Sequence, residues 1–320
     1  MDIIRDTHID WLKYRWHFVI FSLVLIGVGV LDIVRKGGPR YGIDFSEGTI
    51  VYAKFENPPQ IDVIRQKLQQ GGVGEAVIQR YDREELNLVM IRVERATEGG
   101  ASLDTTANRI LEIVQRDIPD NRMVDSSTEI VGPVVGKELR RQARNATLFS
   151  LLAMLLYIGF RFEPIFGVAA TVAVLHDVVV TLCLVSIFNY EISLNVIAAF
   201  LTLVGYSVND TIVIFDRVRE NRKLARRQSL AEILNLSLNQ TLRRTILTSG
   251  LTFLSVVALF LFGGEVLRGF SFVLVVGLIS GTYSTIGIAS PVVVWWRQFR
   301  DKPAVDRKKA KSETGANARV

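Results

Sequence analysis

ISLNVIAAFLTLVGYSVNDTIVIF, residues 192–215, is an apolar stretch without Lys or Arg, and its only acid is Asp210. At about 1.5 Å per residue, a helix of this length crosses the bilayer hydrocarbon core of about 30 Å. Five other apolar stretches lack Lys and Arg, at 17–34, 145–160, 164–187, 246–263 and 269–294. The sequence therefore predicts an α-helical integral membrane protein with six transmembrane helices.

The segment 35–144, between the first two predicted spans, has the pattern of a small soluble domain with its flanking links. Alternating apolar residues predict strands, and helical spacing predicts two helices. The strands are expected at 47–56, 75–81, 86–94 and 122–131, and the helices at 60–70 and 103–117. This β-α-β-β-α-β order predicts a ferredoxin-like α+β domain, a fold that names no chemistry by itself.

The distribution of basic residues predicts the orientation in the membrane. With the N-terminus inside, the cytoplasmic segments 1–16, 216–245 and 295–320 together with Arg161 hold 20 of the 38 Lys and Arg. The two short outside loops hold one, Arg268. Short cytoplasmic loops are enriched in Lys and Arg, so both termini are expected inside and segment 35–144 outside. The net charge of +6 therefore reflects topology and a lipid surface rather than a nucleic-acid partner.

Conventional enzyme chemistry has no candidate site in this sequence. There is no glycine-rich phosphate loop, no metal-spaced His/Cys cluster and no nucleophile paired with a base. The single cysteine, Cys183, lies in an apolar stretch and has no partner for a disulfide within the chain. We therefore expect a protein that is not an enzyme and that holds neither a metal nor an organic cofactor.

Ionisable residues within the predicted spans are the candidate functional groups. A carboxylate in mid-membrane costs about 2.5–3.5 kcal/mol on insertion scales, so it usually faces the bundle and has a partner or a proton. Asp210 follows Asn209 in a small, polar part of the fourth span, which favours a functional role. Asp177, beside His176 in the third span, is a secondary candidate; it is either a helix cross-link or a functional group.

Two arginines precede the fifth predicted span. Arg243 and Arg244 are followed by the polar residues Thr245, Thr248 and Ser249. An arginine at this position could reach inward and pair with Asp210, or it could be a positive-inside anchor; the sequence alone leaves both interpretations open.

Five passages resemble the SecF family, whose members pair with SecD in bacterial protein export. They are YGIDFSEG at 41–48, VGPVVGKEL at 131–139, HDVVVTL at 176–182, GYSVNDTIVIFDRVREN at 205–221 and NQTLRRTILTS at 239–249. The resemblance extends over essentially the whole chain. One departure is Glu47, where the family usually has glycine after the GIDF motif formed here by Gly42, Ile43, Asp44 and Phe45.

The resemblance implies a multi-pass protein of the bacterial inner membrane, forming one half of a resistance-nodulation-division type core. Its implied partners are a SecD-like subunit, the Sec translocon channel, unfolded preprotein and membrane lipid. The proton-motive force would promote late steps of translocation, with the proton as the coupling ion. The family's intramembrane Asp corresponds to Asp210 and its essential Arg to Arg244, with Asn209 beside the acid.

Two alternatives remain open from the sequence. The chain could be a structural subunit that stabilises an export complex, with the chemistry in its partner. It could also be half of an exporter of small molecules or lipids from the same superfamily, although such transporters usually carry both halves and large external domains in one chain.

Overall fold

Six long helices form the membrane part of the protein. The computed structural model describes residues 7–42, 44–45, 48–73, 76–81, 86–94, 103–118, 121–131, 133–161, 163–225 and 227–299. Within these residues, six helices are long and apolar enough to cross a membrane. Their bounds are Arg15–Arg35 (α1), Pro133–Arg161 (α4), Pro164–Ile187 (α5), Leu194–Leu224 (α6), Leu230–Phe262 (α7) and Gly264–Ser284 (α8). The prediction of a helical membrane protein is confirmed.

Three helices begin or end well outside the apolar stretches. Helix α4 starts at Pro133 rather than near 145, and α6 continues to Leu224 rather than ending near 215. Helix α7 starts at Leu230, where Ser229 and Glu232 form a reciprocal capping box, so most of the segment 216–245 is helical rather than loop. The apolar pattern marks only the part of a helix that lies in hydrocarbon, whereas polar extensions continue into water.

Close packing of α6 on α8 forms the centre of the bundle. A Cβ atom added at Gly277 of α8 would overlap side-chain carbons of Leu203, and one added at Gly281 would lie 3.2 Å from Cβ of Ser207. Real Cβ atoms do not come as close to another atom as the one added at Gly277, so a larger residue there would require Leu203 to move, and glycine favours the close contact of the two helices.

Helix α8 changes its pitch at its C-terminal end. A π-helical segment, Thr285–Ala289, follows Ser284, and the chain remains helical through 290–299. The Ser290 hydroxyl donates to the carbonyl of Thr285 at 3.0 Å, and the Thr285 hydroxyl lies 3.1 Å from that of Thr211 on α6. Such segments are common at functional sites, and this one contacts the residue that follows Asp210.

The segment between α1 and α4 forms a small domain with one antiparallel sheet. Its strands are Gly48–Phe55 (β1), Ala76–Tyr81 (β2), Leu88–Glu94 (β3) and Met123–Val131 (β4), in the spatial order β2-β3-β1-β4. Val51 pairs with Ile91 on β3 and with Thr128 on β4. Helices Ile61–Gln70 (α2) and Leu103–Asp117 (α3) cover the apolar side of the sheet, with Ile64, Leu68 and Ile110 in the shared core.

Candidate functional site: two buried carboxylates in the helix bundle

Asp210 lies inside the bundle, on the face of α6 that packs against α7. Its side chain is 5% exposed, and its Oδ2 accepts a hydrogen bond from the Ser249 hydroxyl of α7 at 2.8 Å. Among the residues that the structure describes, that hydroxyl is the one side-chain donor to the carboxyl group. A carboxyl group with a single neutral donor in a water-poor site is poorly stabilised as an anion, which suits a group that gains and loses a proton.

The expected ion pair between Asp210 and Arg244 is absent from the described part of this single chain. Among the described residues, Arg244 forms no ion pair with the carboxylate, which contacts Ser249 instead, and the arginine side chain is exposed. The reason is helical geometry, because Arg244 precedes Ser249 by five residues and therefore lies about 140° around α7 from it. The charge of Arg244 still acts on the Asp210 carboxyl group electrostatically, although the two groups do not form an ion pair.

An exposed polar face on α6 and α7 accompanies the acid. Asn209, Arg243, Arg244 and Thr248 are all exposed in this chain, so Asn209 does not contribute to the contacts of Asp210. Gly205, one turn before Asn209, has no atom within 4 Å of its Cβ position. Polar side chains within spans are unfavourable against lipid, so this face is suited to cover by another protein.

Asp177 is the more completely satisfied of the two carboxylates. It is 1% exposed, and hydroxyl groups from two other helices donate to it. Ser207 of α6 donates at 2.6 Å, while Ser280 and Ser284 of α8 donate at 2.7 and 2.8 Å. His176 Nδ1 lies 3.0 Å from Asp177 Oδ1. One carboxylate thus joins α5, α6 and α8, which supports the cross-link interpretation of this residue.

His176 extends the network to α1. Its Nε2 lies 3.0 Å from the Tyr283 hydroxyl, which in turn lies 3.0 Å from the Ser22 hydroxyl. If the Nδ1–H group donates to Asp177, then Nε2 of a neutral imidazole accepts from Tyr283. The chain Ser22–Tyr283–His176–Asp177 therefore connects the first helix with the centre of the bundle.

One apolar cavity touches both carboxylate systems. It has a volume of about 450 Å³ and lies between α1, α7 and α8. Ser249, the donor to Asp210, and Tyr283, the neighbour of His176, both line it together with Phe18 and Ile246. The two acids therefore have a common neighbouring space, even though their hydrogen-bond partners are separate.

The motif after α1 lies at the opposite end of the bundle from Arg243 and Arg244. Gly42 and Phe45 are buried, and Asp44 contacts the start of α6. Ile43 and Glu47 lie outside the described residues. No group of three or more His, Cys, Asp or Glu that could hold a metal ion occurs among the residues the structure describes.

Several hydrogen-bond partners of the two acids are not predicted by the sequence. The sequence marks Ser249 only as a polar residue and leaves open whether Arg244 pairs with Asp210 or is a positive-inside anchor. Ser280, Tyr283 and Ser284 were not singled out, although they belong to a polar run, SGTYS, inside an apolar stretch. Such a run in a span is a signal for a buried hydrogen-bond network.

Comparison with known proteins places these features in a family. Residues 113–299 match the family model described as "Protein export membrane protein SecD/SecF, C-terminal". The chain is 39% identical to the protein translocase subunit SecF of Koribacter versatilis, over 94% of each chain. It is also 39% identical to the protein translocase subunit SecF of Escherichia coli O157:H7, over 89% of this chain and 87% of that one.

Two solved structures share the fold. The crystal structure of SecDF, a translocon-associated membrane protein from Thermus thermophilus, matches with a TM-score of 0.79 and 36% sequence identity. A SecDF structure in a super-membrane-facing form matches with a TM-score of 0.69 and 34% identity. The match covers 92% of this chain but 39% of the first solved chain, so the present chain corresponds to about two fifths of SecDF. The resemblance noted in the sequence is confirmed, and the chain belongs to the SecF family of protein translocase subunits.

Proposed function

We propose that this chain is the SecF-type half of a proton-driven protein-export unit of the bacterial inner membrane. With a SecD-like partner, it would use the proton-motive force to promote late steps in the movement of unfolded preprotein through the Sec translocon channel. The observation that carries this proposal is the buried Asp210 carboxyl group, held by one hydroxyl at the side of an exposed polar helix face.

The energetic basis is a change in charge at one intramembrane position. A proton that crosses with the membrane potential releases about 2.3 kcal/mol per 100 mV. Protonation of Asp210 removes the penalty of a buried charge and changes its hydrogen bond with Ser249. The preferred packing of α6 against α7 then differs between the two charge states, as a two-state switch requires. The chemistry needs no catalytic residue, metal or cofactor beyond the proton itself.

A SecD-like partner would complete the site. The exposed side chains of Asn209, Arg244 and Thr248 would face that partner instead of lipid, and the open surface at Gly205 would allow its helix to approach closely. In this arrangement, Arg244 would pair with an acid of the partner, or with Asp210 after a rotation of α7. The two halves would then form the resistance-nodulation-division type core.

The proposed orientation puts both termini in the cytoplasm and the small domain outside. The 20 Lys and Arg in 1–16, at Arg161, in 216–245 and in 295–320, against the one in the two short outside loops, support it. The element order and the strand order β2-β3-β1-β4 support a ferredoxin-like extracytoplasmic domain, which would engage the emerging polypeptide.

Export in inverted membrane vesicles tests the proposal. Asp210→Asn keeps the shape of the side chain but cannot gain or lose the charge, and we expect it to abolish the stimulation of export by a proton gradient. Asp216→Asn, at an exposed position further along the same helix, is the matched control and should leave that stimulation unchanged. If Asp210→Asn vesicles keep normal gradient-dependent export and normal complex assembly, the proposal is wrong.

A further inference from the structure

The linker that follows α1 forms backbone hydrogen bonds with Ile192, two residues before α6 begins. Gly42 N–H donates to the carbonyl of Ile192 at 2.8 Å, and Ile192 N–H donates to the carbonyl of Arg40 at 2.7 Å. Tyr41 and Ile192 thereby form a short parallel bridge. A Cβ atom at Gly42 would lie 3.2 Å from the Ile192 carbonyl oxygen, so the close approach favours glycine.

Asp44 and Phe45 extend this attachment into the bundle. Asp44 Oδ2 accepts from the backbone N–H of Leu194, the first residue of α6, at 2.7 Å. A carboxylate at this position satisfies an otherwise unpaired helix donor and complements the positive end of the helix dipole. Phe45 is 2% exposed and belongs to an apolar cluster with Ile192 and Val196.

The small domain is attached to the same place through Arg92 of β3. Arg92 Nη1 lies 2.6 Å from Glu191 Oε2, in the loop before α6, and Nη2 donates to the carbonyl of Tyr41 at 3.2 Å. The arginine side chain is 6% exposed, whereas Glu191 is 35% exposed. One guanidinium group therefore links the sheet, the linker and the loop that leads into α6.

The covalent connection from α1 alone would be flexible. After α1 the chain passes through Gly37 and Gly38, which have positive φ angles of 77° and 130° and no atom within 4 Å of their Cβ positions. These glycines impose little direction on the chain beyond them. On the α1 side, the orientation of the small domain therefore depends on the non-covalent contacts with the start of α6, whereas on the other side one residue joins β4 to α4.

We infer that Gly42, Asp44, Phe45, Arg92 and Glu191 form a clasp that makes the small domain a rigid extension of α6. The inference rests on the proposed function, because the same helix carries Asp210, about 24 Å further along at about 1.5 Å per residue. A shift of α6 at Asp210 then moves the small domain directly. Arg92 and Glu191 are positioning residues of the export cycle and have no contact with the proton site.

Distances between spin labels test the clasp independently of export. Labels at Gln69→Cys on α2 and Asn195→Cys in the first turn of α6 are placed in the full chain carrying Cys183→Ala, reconstituted with and without its partner subunit. We expect a narrow distribution of the distance between the two labels.

Three substitutions in the clasp should each broaden this distribution: Arg92→Met, Glu191→Gln and Gly42→Ala. Arg65→Met, which breaks the exposed ion pair with Asp62 on the same domain, should not.

The functional arm uses the same variants in export and proton-flow measurements. Arg92→Met and Glu191→Gln should lose gradient-dependent export while proton flow that requires Asp210 continues, a separation that general misfolding would not produce. An unchanged distance distribution in Arg92→Met would overturn the clasp, as would normal export in a variant whose distribution has broadened. If Asp210→Asn has no effect on export but the distances still broaden, the proposed function fails and the clasp remains as a structural attachment without its role in coupling.

Discussion

The Ser249 hydroxyl of α7 donates to the Asp210 carboxylate of α6 at 2.8 Å and occupies the place that the sequence suggested for an arginine. This contact joins the candidate proton-binding group to the neighbouring helix through a neutral partner. A neutral donor accommodates both charge states of an acid, because a hydroxyl group is able to donate or to accept. The Ser249 hydroxyl therefore donates to the carboxylate and can accept from the protonated acid, so the geometry of this helix contact depends on the charge state of Asp210.

Removal of that hydroxyl should impair the cycle. We expect Ser249→Ala to reduce gradient-dependent export about tenfold, because a hydrogen bond to a charged group is worth about 1.5–3 kcal/mol. Ser249→Thr keeps the hydroxyl and should retain most of the activity. Ser255→Ala is the control, since its exposed hydroxyl donates to the Leu251 carbonyl of its own helix. Equal export rates in Ser249→Ala and Ser255→Ala would argue against a role for this contact.

Asp177 should matter for stability. Asp177→Ala leaves three serine hydroxyls and His176 without their common acceptor, so we expect a loss of about 3 kcal/mol or more in the free energy of unfolding. Thermal unfolding of the purified protein in detergent would show a lower Tm. Glu163→Ala, which removes an exposed ion pair with Arg222, should cost about 1 kcal/mol or less. A Tm for Asp177→Ala as high as that of the control would exclude the cross-link.

Close packing of α6 on α8 gives a third prediction. Gly277→Ala puts a methyl group where Leu203 side-chain carbons already lie, so we expect a loss of about 1–3 kcal/mol from overpacking. Gly27→Ala on α1 meets no atom within 4 Å and should be neutral. The second substitution Leu203→Ala should recover part of the stability lost in Gly277→Ala. If unfolding measurements show no loss of stability in Gly277→Ala and no recovery in the double variant with Leu203→Ala, the contact between α6 and α8 is contradicted.

Membrane orientation is open to direct labelling. In a Cys183→Ala background, we expect Gln69→Cys on α2 to react with a membrane-impermeant thiol reagent in cells whose outer membrane is permeable. Gln228→Cys, between α6 and α7, should react only after the inner membrane is opened. The reverse pattern would contradict the proposed orientation, which rests on the placement of Lys and Arg.

The sequence predicted the features that depend on local composition. Hydropathy predicts the six spans, and periodicity predicts the strands and helices of the small domain. Asp210 stands out because it is an acid within an apolar stretch. Residues such as Ser249, Ser280 and Tyr283 were not predictable as partners, because their contacts depend on the rotation of one helix against another. For the same reason, the sequence does not tell whether Arg244 contacts Asp210, because the spacing of the two residues does not fix the rotation of α7.

The contacts of the linker and of Arg92 with the start of α6 were also not predictable from the sequence. Asp44 and Glu191 are separated by more than a hundred residues, and neither carries a pattern that names the other. The motif at 42–45 marked the region as special only through its resemblance to a family. Each described member of the motif has a physical role in the structure, since Gly42 allows close approach, Asp44 caps a helix and Phe45 fills the apolar cluster.

Proton flow through the reconstituted complex tests the role of Asp210 most directly. The chain and its SecD-like partner are placed in liposomes with an imposed proton gradient, and the internal pH is followed with a trapped dye. We predict that the gradient decays faster with the wild-type chain or Asp216→Asn than with Asp210→Asn, which should match liposomes without protein. Proton flow in Asp210→Asn as fast as in the wild type would contradict the proposed proton-driven mechanism.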